Sequence, residues 1–360
     1  MAALRRLMLM AQRLRWRLVH AARRLLGLKR TRYVDERVEE YRRYWEEAAN
    51  TLGAALDPIC AGVWEIRRGA QRTRIASYMV QIDDPVTLRL AGNKPYCCEV
   101  ARRHGVPVAP YRVVRLEVLD AAWRFMAERG GLFVVKPAGR SSSALGVTMH
   151  VRTRRQLHSA AALASLYGAE VMVEAMVPAE SCRMLYLEGE LIHAVRRRGV
   201  RLVGDGRSSI EELLLRAGLE TLRSDVATVS TLEAQRLSLQ SRPAAQAEVV
   251  VRYLPAAERV TEELRTVYNE CITPLVCPQL ARSLGRIVRE VGSRFAGVDV
   301  LTNDPSLPLA ESGGVFLELN TTPGLHHHYI GPQPCPAAVP VLRHLLEENR
   351  HEQRRDRLLA

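Results

Sequence analysis

The sequence predicts an α+β protein, and three observations carry that prediction. Short apolar runs rich in Val, Ile and Leu are separated by turns, as in "VMVEAMVPAESCRMLYLEGELIHAVRR", which reads as consecutive strands. Segments of helical periodicity stand between the strand groups, the clearest being "PQLARSLGRIVREVGSRF", with Leu280, Leu284, Ile287, Val291 and Phe295 on one face. At 360 residues, 47% apolar and 25% charged, the chain can build more than one core and lacks the composition of a disordered segment.

Residues 1–32 hold nine Arg and Lys29 with no acid, a charge of +10, which leaves +3 of the total +13 for residues 33–360. The body is close to balance, so no specific nucleic-acid-binding surface is expected and polyanion affinity is confined to this arm. Leu4, Leu7, Met8, Ala11, Leu14, Leu18, Ala21 and Leu25 repeat at helical spacing and form an apolar stripe flanked by Arg. Such a helix suits peripheral contact with an anionic membrane or an acidic partner, and equally suits packing on its own domain.

A second, charged helix follows over 33–50, then two short strands around a turn in "VWEIRRG" and "TRIASYMVQI". A helix from about Lys94 stops at Gly105, and a strand covers 111–114. "GLFVVKPAGRSSSALGVTMHV" reads as strand, loop, strand, residues 153–167 as a helix, and 170–177, 183–187 and 191–197 as strands. "GDGRSSIEELLLRAG" is a turn feeding a helix, with Ser208 expected as its N-cap. The pattern is weak over 220–275, returns with the periodic helix and the strand "GVDVLT", and ends in a helix over 338–359. Seven cysteines at irregular spacing, with no CxxC pair, point to a reduced, cytoplasmic compartment. No stretch reaches the roughly 18 to 20 apolar residues of a membrane span.

Of the 52 basic residues only three are Lys, at 29, 94 and 136. A Lys kept against that bias marks either chance or a place where a compact ammonium is needed, as at a phosphate. Lys136 ends an apolar strand before a loop whose Gly139, Ser141, Ser142, Ser143 and Gly146 can turn backbone N–H groups toward an anion; a plain surface hairpin is the other reading. In "VFLELNTTPG" strand alternation puts Phe316, Glu318 and Asn320 on one face, and Asp299 in "GVDVLT" can face them from a neighbouring strand. Two carboxylates and an amide oxygen make a hard oxygen site suited to Mg²⁺, or three separate strand caps. Glu174 closes another apolar strand, and alternation puts His193, Val195 and Arg197 on one face.

In this order, "NK", "VVKPAGRSSSALGV", "VMVEAMVPAESCR", "RRRGVRLVGDGRSSIEEL", "GVDVLT" and "FLELNTTPG" resemble the ATP-grasp superfamily, in its branch of carboxylate-amine ligases similar to cyanophycin synthetase and the glutathione synthetases. The resemblance runs from about Asn93 to Gly331. It implies an ATP-grasp fold, with two α/β subdomains gripping ATP between antiparallel sheets, over 94–331: a nucleotide-binding subdomain at about 94–170, a hinge and metal-binding subdomain at about 171–331, and an insertion at about 204–275. The basic arm 1–32, a region 33–93 and a C-terminal helix 332–360 lie outside it.

The resemblance further implies that Lys94 and Lys136 bind the ATP phosphates and that residues 139–146 close over them. Glu174, Ala175 and Val177 would hold adenine, Asp299, Glu318 and Asn320 two Mg²⁺ (or Mn²⁺), and Arg197 would be the catalytic arginine. The acidic ribose contact falls on Ser181, with Glu180 adjacent. Gly297 stands where D-alanyl-D-alanine ligases have an arginine, and Gly199-Val200 replace the usual Pro-Ala. The activity implied is an ADP-forming ligase that joins an amino acid or peptide through an acyl phosphate, in a homo-oligomer, a dimer. A peptide-modifying enzyme recruited by the basic arm and a silent nucleotide-binding module are the alternatives. His326, His327 and His328 lie near the expected substrate end with no role assigned.

Overall fold

The structure is a computed structural model and describes residues 2–25, 31–139, 146–197, 199–224, 226–252, 269–329 and 333–359. Helices α1 (Ala2–Leu25) and α2 (Thr31–Thr51) precede a four-stranded antiparallel meander, β1 (Ala55–Cys60), β2 (Val63–Arg68), β3 (Gln71–Ala76) and β4 (Met79–Val80). The first expected strand is β2, whereas the second stretch, residues 73–82, divides at a turn on Ser77 and Tyr78 into β3 and β4. The strand β1 escapes the pattern because it is a largely exposed edge, bulged near Pro58, where burial imposes no alternation. Tyr41, Trp45 and Ala48 of α2 pack against Trp64, Ile66 and Ile75, and α12 (Ala338–Leu359) closes the same core with Val341, Leu342 and Leu345.

Helices α3 (Pro85–Ala91) and α4 (Lys94–Arg103) lead to a second antiparallel sheet of order β5-β8-β6-β7. Its strands are β5 (Tyr111–Arg115), β6 (Phe133–Pro137), β7 (Thr148–Val151) and β8 (Glu170–Ala175), covered by α5 (Leu119–Arg129) and α6 (Arg154–Ala164) through a core of Val114, Met126, Phe133, Leu157, Ala161 and Val173. Helix α6 starts at a capping box, in which Thr153 and Gln156 each satisfy the other's backbone N–H.

The third sheet carries β9 (Ser181–Leu187) and β10 (Glu190–Arg197). A hairpin of β11 (Val200–Val203) and β12 (Glu248–Arg252) then encloses α7 (Ile210–Arg216) and α8 (Val226–Ala234). The cap of α7 is Ser209, not Ser208: Ser209 accepts from Glu212 N in a capping box, while Asp205 takes the amide and hydroxyl of Ser208. The sheet continues with β13 (Asn269–Cys271), β14 (Phe295–Leu301) and β15 (Val315–Thr321), in the antiparallel order β13-β10-β9-β14-β15.

Helix α9 (Pro278–Val291) covers this sheet with the predicted Leu280, Leu284, Ile287 and Val291. Phe295 is not on that helix, because Gly292 ends it with φ 85° and Phe295 opens β14 instead. Phe316 also leaves its expected face. Asp299 pairs with Glu318 but Val300 pairs with Phe316, so Leu317 is an extra residue and the bulge turns Phe316 into the core, where it is 1% exposed. Short helices α10 (Leu309–Ser312) and α11 (His326–Tyr329) complete the chain.

Candidate active site

Antiparallel register places Cys271, Val195, Arg183, Asp299 and Glu318 in one row across β13, β10, β9, β14 and β15. Residues directly opposite one another share a face, so this row gathers charge that the sequence scatters over more than a hundred positions. Arg183 grips Asp299 with both arms, Nε to Oδ1 at 2.7 Å and Nη2 to Oδ2 at 2.6 Å. The Nη2 atom of Arg197 stands 3.7 Å from the same Oδ2 and donates to the Ser181 hydroxyl at 2.5 Å. Asn320 Nδ2 donates to Asp299 at 3.2 Å and lies 3.5 Å from Glu318 Oε1. Burial alone would push the Asp299 carboxyl up, but Arg183 and Arg197 outweigh it and hold the group below the usual carboxylate range. Burial pushes Arg197 below its ordinary value.

The second sheet meets this row at Lys94. Asn93 caps α4 by accepting from Tyr96 N at 3.1 Å, and Lys94 N donates to Ala138 O at 3.0 Å, which ties the helix start to the end of β6. The Lys94 ammonium is 3.7 Å from Glu318 Oε2. Lys136 donates to both Glu174 oxygens at 3.1 Å, with Lys136 5% and Glu174 4% exposed. Burial works against charge in both; for Lys136 the Glu174 carboxylate, with Glu318 beyond it, holds the ammonium above its ordinary range. Both lysines and Glu174 are therefore brought to the predicted acidic pair.

Gly139 pairs with Asn93 and Gly146 closes the loop, whereas Ser141, Ser142 and Ser143 lie outside the described residues. Gly146 has φ 78°, and a Cβ there would stand 2.6 Å from the Tyr167 ring, so only glycine fits. At the end of β8, where the hinge is expected, Ala175 N donates to Pro110 O at 2.8 Å and the Val177 carbonyl accepts from Ala179 N at 3.0 Å. Glu180 is 2% exposed and pairs with Arg201, but its Oε2 has no hydrogen-bond partner among the described residues.

Three features are absent from the sequence reading. Arg183 was legible in principle, since a charge inside the apolar run "SCRMLYL" is the same anomaly as Glu318 in its strand. A Cβ at Gly297 would meet the Pro323 ring at 3.0 Å, with the Arg183 stem at an ordinary contact distance of 3.6 Å. The Arg201 partner of Glu180 comes from β11, just ahead of the expected insertion. The third feature joins residues of three elements: His193 Nδ1 is 2.8 Å from His328 Nδ1, and His193 Nε2 is 3.3 Å from Cys271 Sγ. Beside it, Asn269 holds the His327 carbonyl at 2.9 Å and the Tyr41 hydroxyl meets His326 at 2.9 Å. Burial drives His327 and His328 well below the ordinary imidazole range, so both are neutral.

Asp299, Glu318 and Asn320 are two carboxylates and an amide whose Nδ2 faces both; with the amide oxygen turned toward them the three would offer the hard oxygen ligands that suit a divalent cation such as Mg²⁺. Among the described residues no group of three or more His, Cys, Asp and Glu side chains is arranged to hold a metal. The surrounding lysines and arginines complement a polyanion rather than a neutral ligand.

No family model matches the chain. Cyanophycin synthetase of Geminocystis herdmanii is 26% identical over 296 residues, covering 78% of this chain and 33% of that protein. Cyanophycin synthetase of Trichormus variabilis is 26% identical over 281 residues, covering 75% of this chain and 30% of that protein. The bifunctional glutathione biosynthesis protein of Streptococcus mutans is 22% identical over 268 residues, covering 71% of this chain and 35% of that protein. The chain thus spans about a third of the length of these curated relatives. Among solved structures, a bifunctional glutathione synthetase from Pasteurella multocida aligns with TM-score 0.49 and 20% identity, over 82% of this chain and 42% of that one. The ordered motifs meet where two antiparallel sheets adjoin, and over about three quarters of its length the chain is similar to the cyanophycin synthetases.

Proposed function

We propose that the protein is an ATP- and Mg²⁺-dependent carboxylate-amine ligase that forms an amide or peptide bond through an acyl phosphate, with an amino acid or peptide as substrate. The observation that carries this reading is the meeting of Lys94, Arg183 and Arg197 around Asp299 and Glu318, with the buried Lys136–Glu174 pair beside them, at the junction of two sheets. Four cations among three carboxylates suit a triphosphate that arrives with its counter-ion, because the anion and the cation each find a partner of opposite sign.

Asp299, Glu318 and Asn320 would hold Mg²⁺, two ions by the resemblance, which supplies charge neutralisation to the phosphates when bound. Lys94 and Lys136 bind phosphate oxygens, and Lys136 exchanges part of its Glu174 contact for them. Glu174 and the Ala175 carbonyl face adenine, and the unpartnered Oε2 of Glu180 accepts from a ribose hydroxyl. A substrate carboxylate oxygen attacks the γ-phosphorus, the bond to the β-bridging oxygen breaks, and ADP leaves. Arg197, held by Ser181 and half-buried, stabilises the oxyanion that forms when an amine attacks the acyl phosphate, and phosphate departs. By the resemblance, closure of residues 139–146 would keep water from the activated carbonyl.

Incubation with ATP, Mg²⁺ and a metabolite extract, followed by mass spectrometry, tests this. The expected result is ADP, phosphate and a new product whose mass is the sum of two metabolites less water. ATP binding with no ADP release from any pool would return the reading to a silent nucleotide-binding module.

A further inference from the structure

The arm helix α1 docks on its own protein with the face opposite to its apolar stripe. Leu9, Gln12, Arg13, Trp16 and Val19 are the half-buried positions, Leu9 joins the core beneath α6, and Arg13 donates to the Ser165 carbonyl at 3.3 Å. Leu7, Met10, Leu14 and Leu18, at i, i+3, i+7 and i+11, are left 67%, 63%, 57% and 61% exposed. They form a stripe of roughly 16 Å along the helix at about 1.5 Å per residue. At 3.6 residues per turn the exposed Arg15 and Arg17 fall on opposite flanks of that stripe. A monomeric surface rarely keeps such a contiguous row of large apolar side chains without an occupant.

Charge decides which occupant fits. Residues 1–32 carry +10 and no acid, so a second copy of the same face would bring like charge to like charge. We propose that α1 is an interfacial anchor that lays Leu7, Met10, Leu14 and Leu18 into the acyl boundary of an anionic lipid bilayer, with Arg15 and Arg17 at the headgroups. A bilayer asks only for a straight apolar stripe between cationic flanks, which is what this helix presents. Because the opposite face is fixed to α6, the anchor holds the body at the surface by a stiff attachment. The inference is independent of the ligase reading, since it rests on residues outside the cleft and its test reads no turnover.

The full chain is sedimented with vesicles of phosphatidylcholine alone and of phosphatidylcholine mixed with phosphatidylglycerol, and the same chain is examined without lipid by sedimentation velocity. Expected is partition to the mixed vesicles only, abolished in Leu14→Glu with Leu18→Glu, and weakened about five-fold per arginine in Arg15→Gln with Arg17→Gln. These positions are solvent-exposed, so circular dichroism should show unchanged folding. No partition to mixed vesicles, or equal partition by the Leu14→Glu, Leu18→Glu variant, overturns the proposal. A lipid-free dimer that this variant abolishes assigns the face to a second copy instead. Saturable binding of soluble polyglutamate that the variant abolishes assigns it to an acidic protein, and either result overturns the bilayer.

Discussion

Lys136→Met removes an ammonium that sits 3.1 Å from both oxygens of Glu174 and strands a carboxylate that is 4% exposed. Removing one partner of a buried ion pair costs about 3–5 kcal/mol. Burial raises the Glu174 carboxyl and Glu318 adds to it, while Lys136 and Lys94 oppose them, so loss of Lys136 moves the group further up. The sign follows from linkage: a carboxyl whose folded-state value lies above its unfolded value is no burden below about pH 4, and its cost grows as pH rises, levelling off above the folded value. The gap in melting temperature between the wild-type chain and Lys136→Met should therefore be small at pH 5 and reach about 6–20 °C at pH 8, at roughly 2–4 °C per kcal/mol. Lys136→Met with Glu174→Leu should recover most of it, since no buried charge is left behind. Circular dichroism melts at the two pH values read both effects. A gap that does not change with pH, or a double variant no more stable than the single one, would refute the buried pair.

Glu318→Gln should lower ADP release at least about a hundred-fold while shifting stability by under about 1 kcal/mol, because its cation Lys94 is a distant 3.7 Å away and the side chain is partly exposed; near-wild-type release would remove it from the metal set. Arg197→Ala should cost about 3 to 4 kcal/mol in turnover, with nucleotide affinity by calorimetry nearly unchanged, and a matching loss of affinity would make it a binding group instead. Gly146→Ala should destabilise the chain and be partly rescued by Tyr167→Ala, which removes the ring the new Cβ would strike at 2.6 Å; thermal melts without rescue would count against that contact. His327 and His328 are neutral when buried and the unfolded imidazoles charge below about pH 6.5, so stability should fall as pH drops from 7 to 5, with a shallower fall in His328→Gln; equal slopes would show that other groups dominate.

What the sequence determined by itself is the inventory and the order of the cleft. Lys94 and Lys136 stood out against an Arg-rich composition, and Glu318, Asn320 and Asp299 against apolar strands, because a charge in such a place is costly unless something uses it. Most strands and helices followed from periodicity, whereas β1 escaped it because burial there is weak, and α5 and β12 were missed although each buries one face. Only the tertiary structure decided who meets whom. Register across five strands brings Arg183 opposite Asp299, and one extra residue at Leu317 turns Phe316 away while leaving Glu318 and Asn320 at the cleft. Likewise the arm's stripe is visible in the sequence, but which face docks is set by the surface of α6, and it is the other one. The physical reason is common to all three cases: periodicity records which side of an element is apolar, whereas pairing depends on partners distant in the chain, and no local pattern encodes them.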